Sequence, residues 1–75
     1  TDLWVQIGAF HSEVNAFNVL RKVQDIAPGE VSQVQNNGQN FFRSRIGPLS
    51  DIAEADRILD VIFQRGFNGA KIVVE

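Results

Sequence analysis

Residues 7–23 read IGAFHSEVNAFNVLRKV, and residues 46–62 read IGPLSDIAEADRILDVI. The second stretch repeats the pattern of the first. Ile7-Gly8 matches Ile46-Gly47 and Phe10 matches Leu49. Ala16, Val19, Leu20 and Val23 then fall on Ala55, Ile58, Leu59 and Ile62. Those positions have the i, i+3, i+4, i+7 spacing that puts apolar side chains on one helix face. Each copy is therefore a strand, a glycine-bearing turn and an amphipathic helix. Ser12 stands at the first helix start and Ser50 or Asp51 at the second, where a short polar side chain caps free N–H groups. Pro48 lies in the second strand-to-helix turn. Pro28-Gly29 predicts the stop of the first helix and Gly66 that of the second.

Between the copies, EVSQVQ (residues 30–35) is polar and weakly alternating, as an edge strand is. Asn36-Asn37-Gly38 is a tight-turn signal, because its backbone needs positive φ. Phe41–Ile46 follows as a strand, closing a hairpin, and AKIVV (residues 70–74) is a final β-branched strand. The order β-α-β-β-α-β predicts an α+β, ferredoxin-like (RNP-like) fold. It is one four-stranded antiparallel sheet with two helices on a single face, its first and third strands central. Residues 1–75 make one domain.

The chain has 75 residues, no cysteine and a formal net charge of −2. A core of this size supplies only about 3–5 kcal/mol. Without cysteine there is neither a disulfide nor thiolate chemistry. The mixed, slightly acidic charge argues against a phosphate-backbone binder. No apolar run is long enough to span a bilayer, so no membrane contact by this domain is expected. Thr1-Asp2 leads directly into the first strand, so no signal peptide is expected within these residues.

Two helices leave one sheet face open, and alternation says what it carries. In WVQIGAF (residues 4–10), Val5, Ile7 and Ala9 share one face, and Trp4, Gln6 and Gly8 the other. In the third strand Ile46 repeats inward-facing Ile7, which sends Phe41, Arg43 and Arg45 outward. The open face is thus expected to hold Trp4, Gln6, Gly8, Phe41, Arg43 and Arg45. Arginine presents a planar fork to a carboxylate or phosphate. The Gln6 amide suits hydroxyl and acetamido groups. Gly8 admits close approach to the backbone, although a turn role also explains it, as it does Gly47. Trp4 and Phe41 offer flat surfaces to a sugar ring or base. Such a surface fits an extended polar polymer with some negative charge.

Catalysis finds little support. His11 stands at a helix start with no nucleophile motif beside it. Asp51, Glu54, Asp56 and Asp60 read as a solvated helix face. No P-loop or dinucleotide fingerprint is present. An enzyme is not expected, nor a cofactor or metal.

VQIGAF and FFRSRIGPL, each followed by an alanine-bearing helix, resemble the SPOR (sporulation-related repeat) family. Its hallmarks are a V-Q-x-G-S/A-F first strand and an aromatic-R-x-x-x-G-P third strand. The resemblance runs from Trp4 to Val74. It implies a bacterial envelope module that binds peptidoglycan, preferring denuded glycan strands, from which amidases have removed the stem peptides. It further implies localisation of the parent protein to the division septum, in the periplasm. A parent that is a lipoprotein or a lytic transglycosylase is a further implication of the resemblance. The family's glycan-contacting glutamine corresponds to Gln6, its small residue after glycine to Ala9, and its third-strand aromatic and arginine to Phe41 and Arg43. Ala9 replaces the commoner serine. A monomer is expected, and no nucleic-acid partner. The alternative is an RNA-binding module of the same topology, but NFFRSRIG lacks that family's K/R-G-F/Y-G/A-F/Y core.

Overall fold

The computed structural model describes residues Thr1–Glu75. The elements run β1 (Leu3–Phe10), α1 (Glu13–Arg21), β2 (Gly29–Asn36), β3 (Gln39–Leu49), α2 (Ile52–Gln64) and β4 (Lys71–Val74). They form the expected β-α-β-β-α-β order, with one antiparallel sheet arranged β2-β3-β1-β4. The first and third strands are central, and β2 is an edge.

The two sequence copies meet in one core. Val5, Ile7, Leu20, Val23, Ile46, Ala55, Ile58, Ile62 and Ala70 form a single buried cluster. Ala16 and Ala55, equivalent in the repeat, are both wholly buried. Ser44, opposite α1 and also wholly buried, donates its hydroxyl to the Ala16 carbonyl at 2.6 Å. This bond spans the sheet–helix boundary and satisfies a hydroxyl that burial would otherwise strand.

The caps form as the sequence implies. Ser12 Oγ accepts from the Asn15 N–H at 3.3 Å, and Asp51, rather than Ser50, accepts from the Glu54 N–H at 2.8 Å. Helix α1 closes at Arg21, well before Pro28-Gly29. The chain continues in turns, with the Val23 and Ile26 N–H groups bonding three residues back to Leu20 and Val23. This tighter winding still delivers Val23 to the core. Arg65, at the end of α2, clamps that turn segment through two bonds to Asp25 of 2.8 and 2.6 Å.

Asn37 and Gly38 have φ of 53° and 77°, so a two-residue hairpin loop joins β2 to β3. Its register runs Asn36↔Gln39, Val34↔Phe41, Ser32↔Arg43 and Glu30↔Arg45. Strand β3 is longer than Phe41–Ile46: it extends through Pro48, expected in a turn, to Leu49.

Two irregularities in the β1–β3 pairing decide what the open face presents. Gly47 and Pro48 together stand opposite Trp4 alone, between the pairs Leu3↔Leu49 and Val5↔Ile46. On the other strand, Ile7 is the extra residue between Gln6↔Arg45 and Gly8↔Ser44. An extra residue reverses the alternation beyond it. Directly opposed residues share a face, so Gly8 lies with Ser44 on the helix side and Ala9 lies with Arg43 on the open side.

Candidate functional site on the open sheet face

The pairings define the open face row by row. One row is Glu30, Arg45, Gln6 and Lys71, running from β2 to β4. The next is Ser32, Arg43 and Ala9. Val34 and Phe41 form a third, where the Phe41 ring lies 4.5 Å from that of His11. Trp4 and Val73 pair at the other end. Gln6, Phe41, Arg43 and Arg45 are therefore brought together as alternation implied, and Ala9 joins them, where only the family resemblance had put it.

Gly8 is not among them. Its reversed orientation comes from the Ile7 bulge, and a Cβ at Gly8 would meet the Phe10 ring at 2.8 Å. The missing side chain makes room for Phe10, not for a ligand. Ala9, which simple alternation sent inward, is exposed on the open side.

Trp4 is on the open side but is not an open platform. It is only 6% exposed. The Arg45 guanidinium lies over its ring, with the central carbon 3.8 Å from the ring centroid. The backbone of Gly47 lies close on the indole as well: a Cβ there would sit 2.9 Å from Trp4. An indole beside Arg45 forms a cation–π stack, which is strongest when desolvated. The stacking surface expected of Trp4 is thus already occupied, and Phe41, half-buried, is the aromatic that remains accessible on this face.

The two arginines are held by carboxylates that the sequence reading did not place. Glu75 Oε2 accepts from Arg43 Nη1 at 2.6 Å, and its Oε1 accepts from Arg43 Nη2 at 2.9 Å and from Arg45 Nη1 at 2.5 Å. Glu30 Oε2 accepts from Arg45 Nη2 at 3.2 Å, and Ser32 Oγ from Arg43 Nη2 at 3.3 Å. The Nε groups of both arginines are buried without a partner. The bonds from Arg43 and then Arg45 hold the Glu75 carboxyl down to about 2, while Glu75 in turn raises the pKa of Arg43. Gln6, half-buried between Arg45 and Lys71, spends its amide on no intramolecular hydrogen bond.

The hairpin register contained a signal for part of this set. A two-residue loop at Asn37-Gly38 fixes Glu30 opposite Arg45, Ser32 opposite Arg43 and Val34 opposite Phe41. Glu75 gave none, because its reach to β3 depends on how the strand ends are placed in three dimensions.

The profile of the SPOR domain family matches residues 1–73. The chain belongs to that family. Among solved structures it is similar to the crystal structure of the RlpA SPOR domain from Pseudomonas aeruginosa, with 29% identity, a TM-score of 0.87, and coverage of 97% of this chain and 99% of that one. It is also similar to the solution structure of the peptidoglycan binding domain of the B. subtilis cell wall lytic enzyme CwlC, with 25% identity, a TM-score of 0.73, and coverage of 100% and 91%. No curated protein sequence matches the chain.

Proposed function

We propose that this domain binds peptidoglycan and that its ligand is the glycan strand stripped of stem peptides, laid across the open face. The observation that carries the reading is the Gln6 amide, unpaired within the chain, set beside a guanidinium pair on a sheet face without helices. The similarity to a domain named for peptidoglycan binding supports the peptidoglycan part of this reading.

The chemistry is specific. Removing the stem peptide turns the lactyl amide of N-acetylmuramic acid into a free carboxylate. Each disaccharide then offers a group that a guanidinium pairs through two bonds. A charge-assisted hydrogen bond of this kind contributes about 1.5–3 kcal/mol. Gln6 supplies both donor and acceptor to acetamido or hydroxyl groups, and Phe41 supplies an apolar surface to a sugar ring. An intact strand lacks the charge and carries a bulky peptide that a shallow face rejects, so discrimination uses attraction and exclusion together. The domain acts here as a monomeric binding module rather than a catalyst, and it directs the protein that carries it to the septal wall of the cell envelope. RNA is the weaker reading, since the third strand NFFRSRIG lacks the K/R-G-F/Y-G/A-F/Y core of RNA-binding modules of this topology.

Sedimentation with purified sacculi tests the reading. Amidase pretreatment of the sacculi should raise the bound fraction severalfold. Equal retention on treated and untreated sacculi would overturn the preference for denuded strands, and no retention on either would overturn peptidoglycan binding.

A further inference from the structure

We propose that Glu75 is an internal stand-in for the ligand's carboxylate, so that an acidic sugar enters the open face by exchanging with Glu75 at Arg43. This deepens the reading above and rests on it for the identity of the polymer, though not for the exchange itself.

The argument starts from the inequality of the partners. The side chains of Arg43 and Arg45 are 13% and 11% exposed, whereas that of Glu75 is 41% exposed. The guanidinium groups are fixed in the sheet, Arg45 against Trp4 and Arg43 against Ser32. The backbone of Glu75 stays paired with Asp2, but its side chain is the most exposed of the three and is the member free to swing away. Both of its oxygens are engaged, and the two bonds to Arg43 form the parallel fork that a carboxylate ligand would make.

Glu75 therefore does two things. It keeps two neighbouring guanidinium groups from repelling each other in the empty domain, which holds the fork in a binding-ready geometry. It also sets a threshold. An uncharged glycan cannot replace Glu75, because removing one partner leaves largely buried charges uncompensated. A glycan carboxylate can, since it restores the same bonds. Selectivity for acidic over neutral sugars then comes from exchange, at the cost of affinity, because every binding event must first break the internal pair.

The test uses the 75-residue protein and two monosaccharides, N-acetylmuramic acid and N-acetylglucosamine, at constant ionic strength and pH 7, with affinity read from backbone NMR shifts. Glu75→Gln should bind N-acetylmuramic acid about fivefold tighter or more than the parent protein, with no gain for N-acetylglucosamine. Adding Arg43→Ala to Glu75→Gln should erase the gain. An unchanged or weakened affinity in Glu75→Gln, or an equal gain for both sugars, overturns the proposal. If Glu75→Gln does not fold, Glu75→Asp keeps the charge but withdraws it by one methylene. It should then show a smaller gain for the acidic sugar, and its absence is equally decisive against exchange. Failure of the glycan reading looks different: no retention of the parent protein on sacculi, with the gain for N-acetylmuramic acid in Glu75→Gln intact.

Discussion

The Arg45 guanidinium carbon lies 3.8 Å from the centroid of the Trp4 ring, and both side chains are buried on the face that carries no helix. This stack divides the two arginines by role. Arg45 covers Trp4 and supports the floor of the face, while Arg43, two residues away in β3, stands beside exposed Ala9. Arg45→Ala should lower unfolding free energy by about 2 kcal/mol, the scale of a desolvated cation–π contact together with lost packing. Arg45→Lys should recover only part of it, since an ammonium does not lie flat on an indole. Urea titration followed by Trp4 fluorescence measures both.

Gln6 and Arg43 should show the opposite balance. Gln6→Ala should change stability by no more than about 0.5 kcal/mol, as for surface positions without special contacts. Its binding to amidase-treated sacculi should fall severalfold. Arg43→Ala should weaken that binding by about tenfold or more, the equivalent of one charge-assisted hydrogen bond. It should cost less stability than Arg45→Ala. A Gln6→Ala protein that unfolds early would show that the amide is structural.

Acid should unfold the domain partly through Glu75. Its carboxyl is held at about 2, below the ordinary value of 4.5, first by the Arg43 bonds and then by Arg45. A depressed carboxyl contributes its full stabilisation above the unfolded pKa and loses it as pH falls toward the folded one. The Glu75 contribution therefore disappears between about pH 4.5 and 2. Asp25 is lowered in the same direction by Arg65. Glu75→Gln should consequently flatten the acid limb of the stability curve without abolishing it, as read by denaturant midpoints across that range.

Gly47 and Gly38 separate conformational strain from collision. Both have positive φ, 144° and 77°. A Cβ at Gly38 meets nothing within 4 Å, whereas one at Gly47 sits 2.9 Å from the Leu3 carbonyl oxygen and from Trp4. Gly38→Ala should cost about 1–2 kcal/mol from the left-handed backbone alone. Gly47→Ala should cost clearly more and should disturb Trp4 fluorescence, which Gly38→Ala leaves unchanged. Differential scanning calorimetry ranks the two.

Ser44→Ala removes the hydroxyl that joins β3 to the Ala16 carbonyl. The expected loss is about 1 kcal/mol, one net hydrogen bond. Amide exchange should quicken in α1 more than in α2, because the lost bond belongs to α1 alone.

The architecture was legible because the sequence states it twice. Ala16 and Ala55, or Val23 and Ile62, occupy equivalent core positions in two copies of one unit, and Asn37-Gly38 allows only a tight loop between β2 and β3. Element ends were less legible: α1 stops at Arg21 rather than near Pro28, because tertiary burial of Val23 tolerates a tighter turn. Of the open face, Gln6, Phe41, Arg43 and Arg45 could be placed by period-two alternation. Gly8 and Ala9 could not, since one extra residue at Ile7 inverts both, and a bulge leaves no mark in composition. The burial of Trp4 and the reach of Glu75 to Arg43 also escaped, as each depends on packing between strand ends distant in sequence.

Asp2 and Glu75 exchange both of their backbone hydrogen bonds, at 2.5 and 2.9 Å. Any residues joined before the one or after the other leave from a single corner of the sheet. The two ends of the sheet's outer ladder are thus pinned to each other. That corner is also a natural seam: a circular permutant sewn across it and opened between Asn37 and Gly38 retains every strand neighbour.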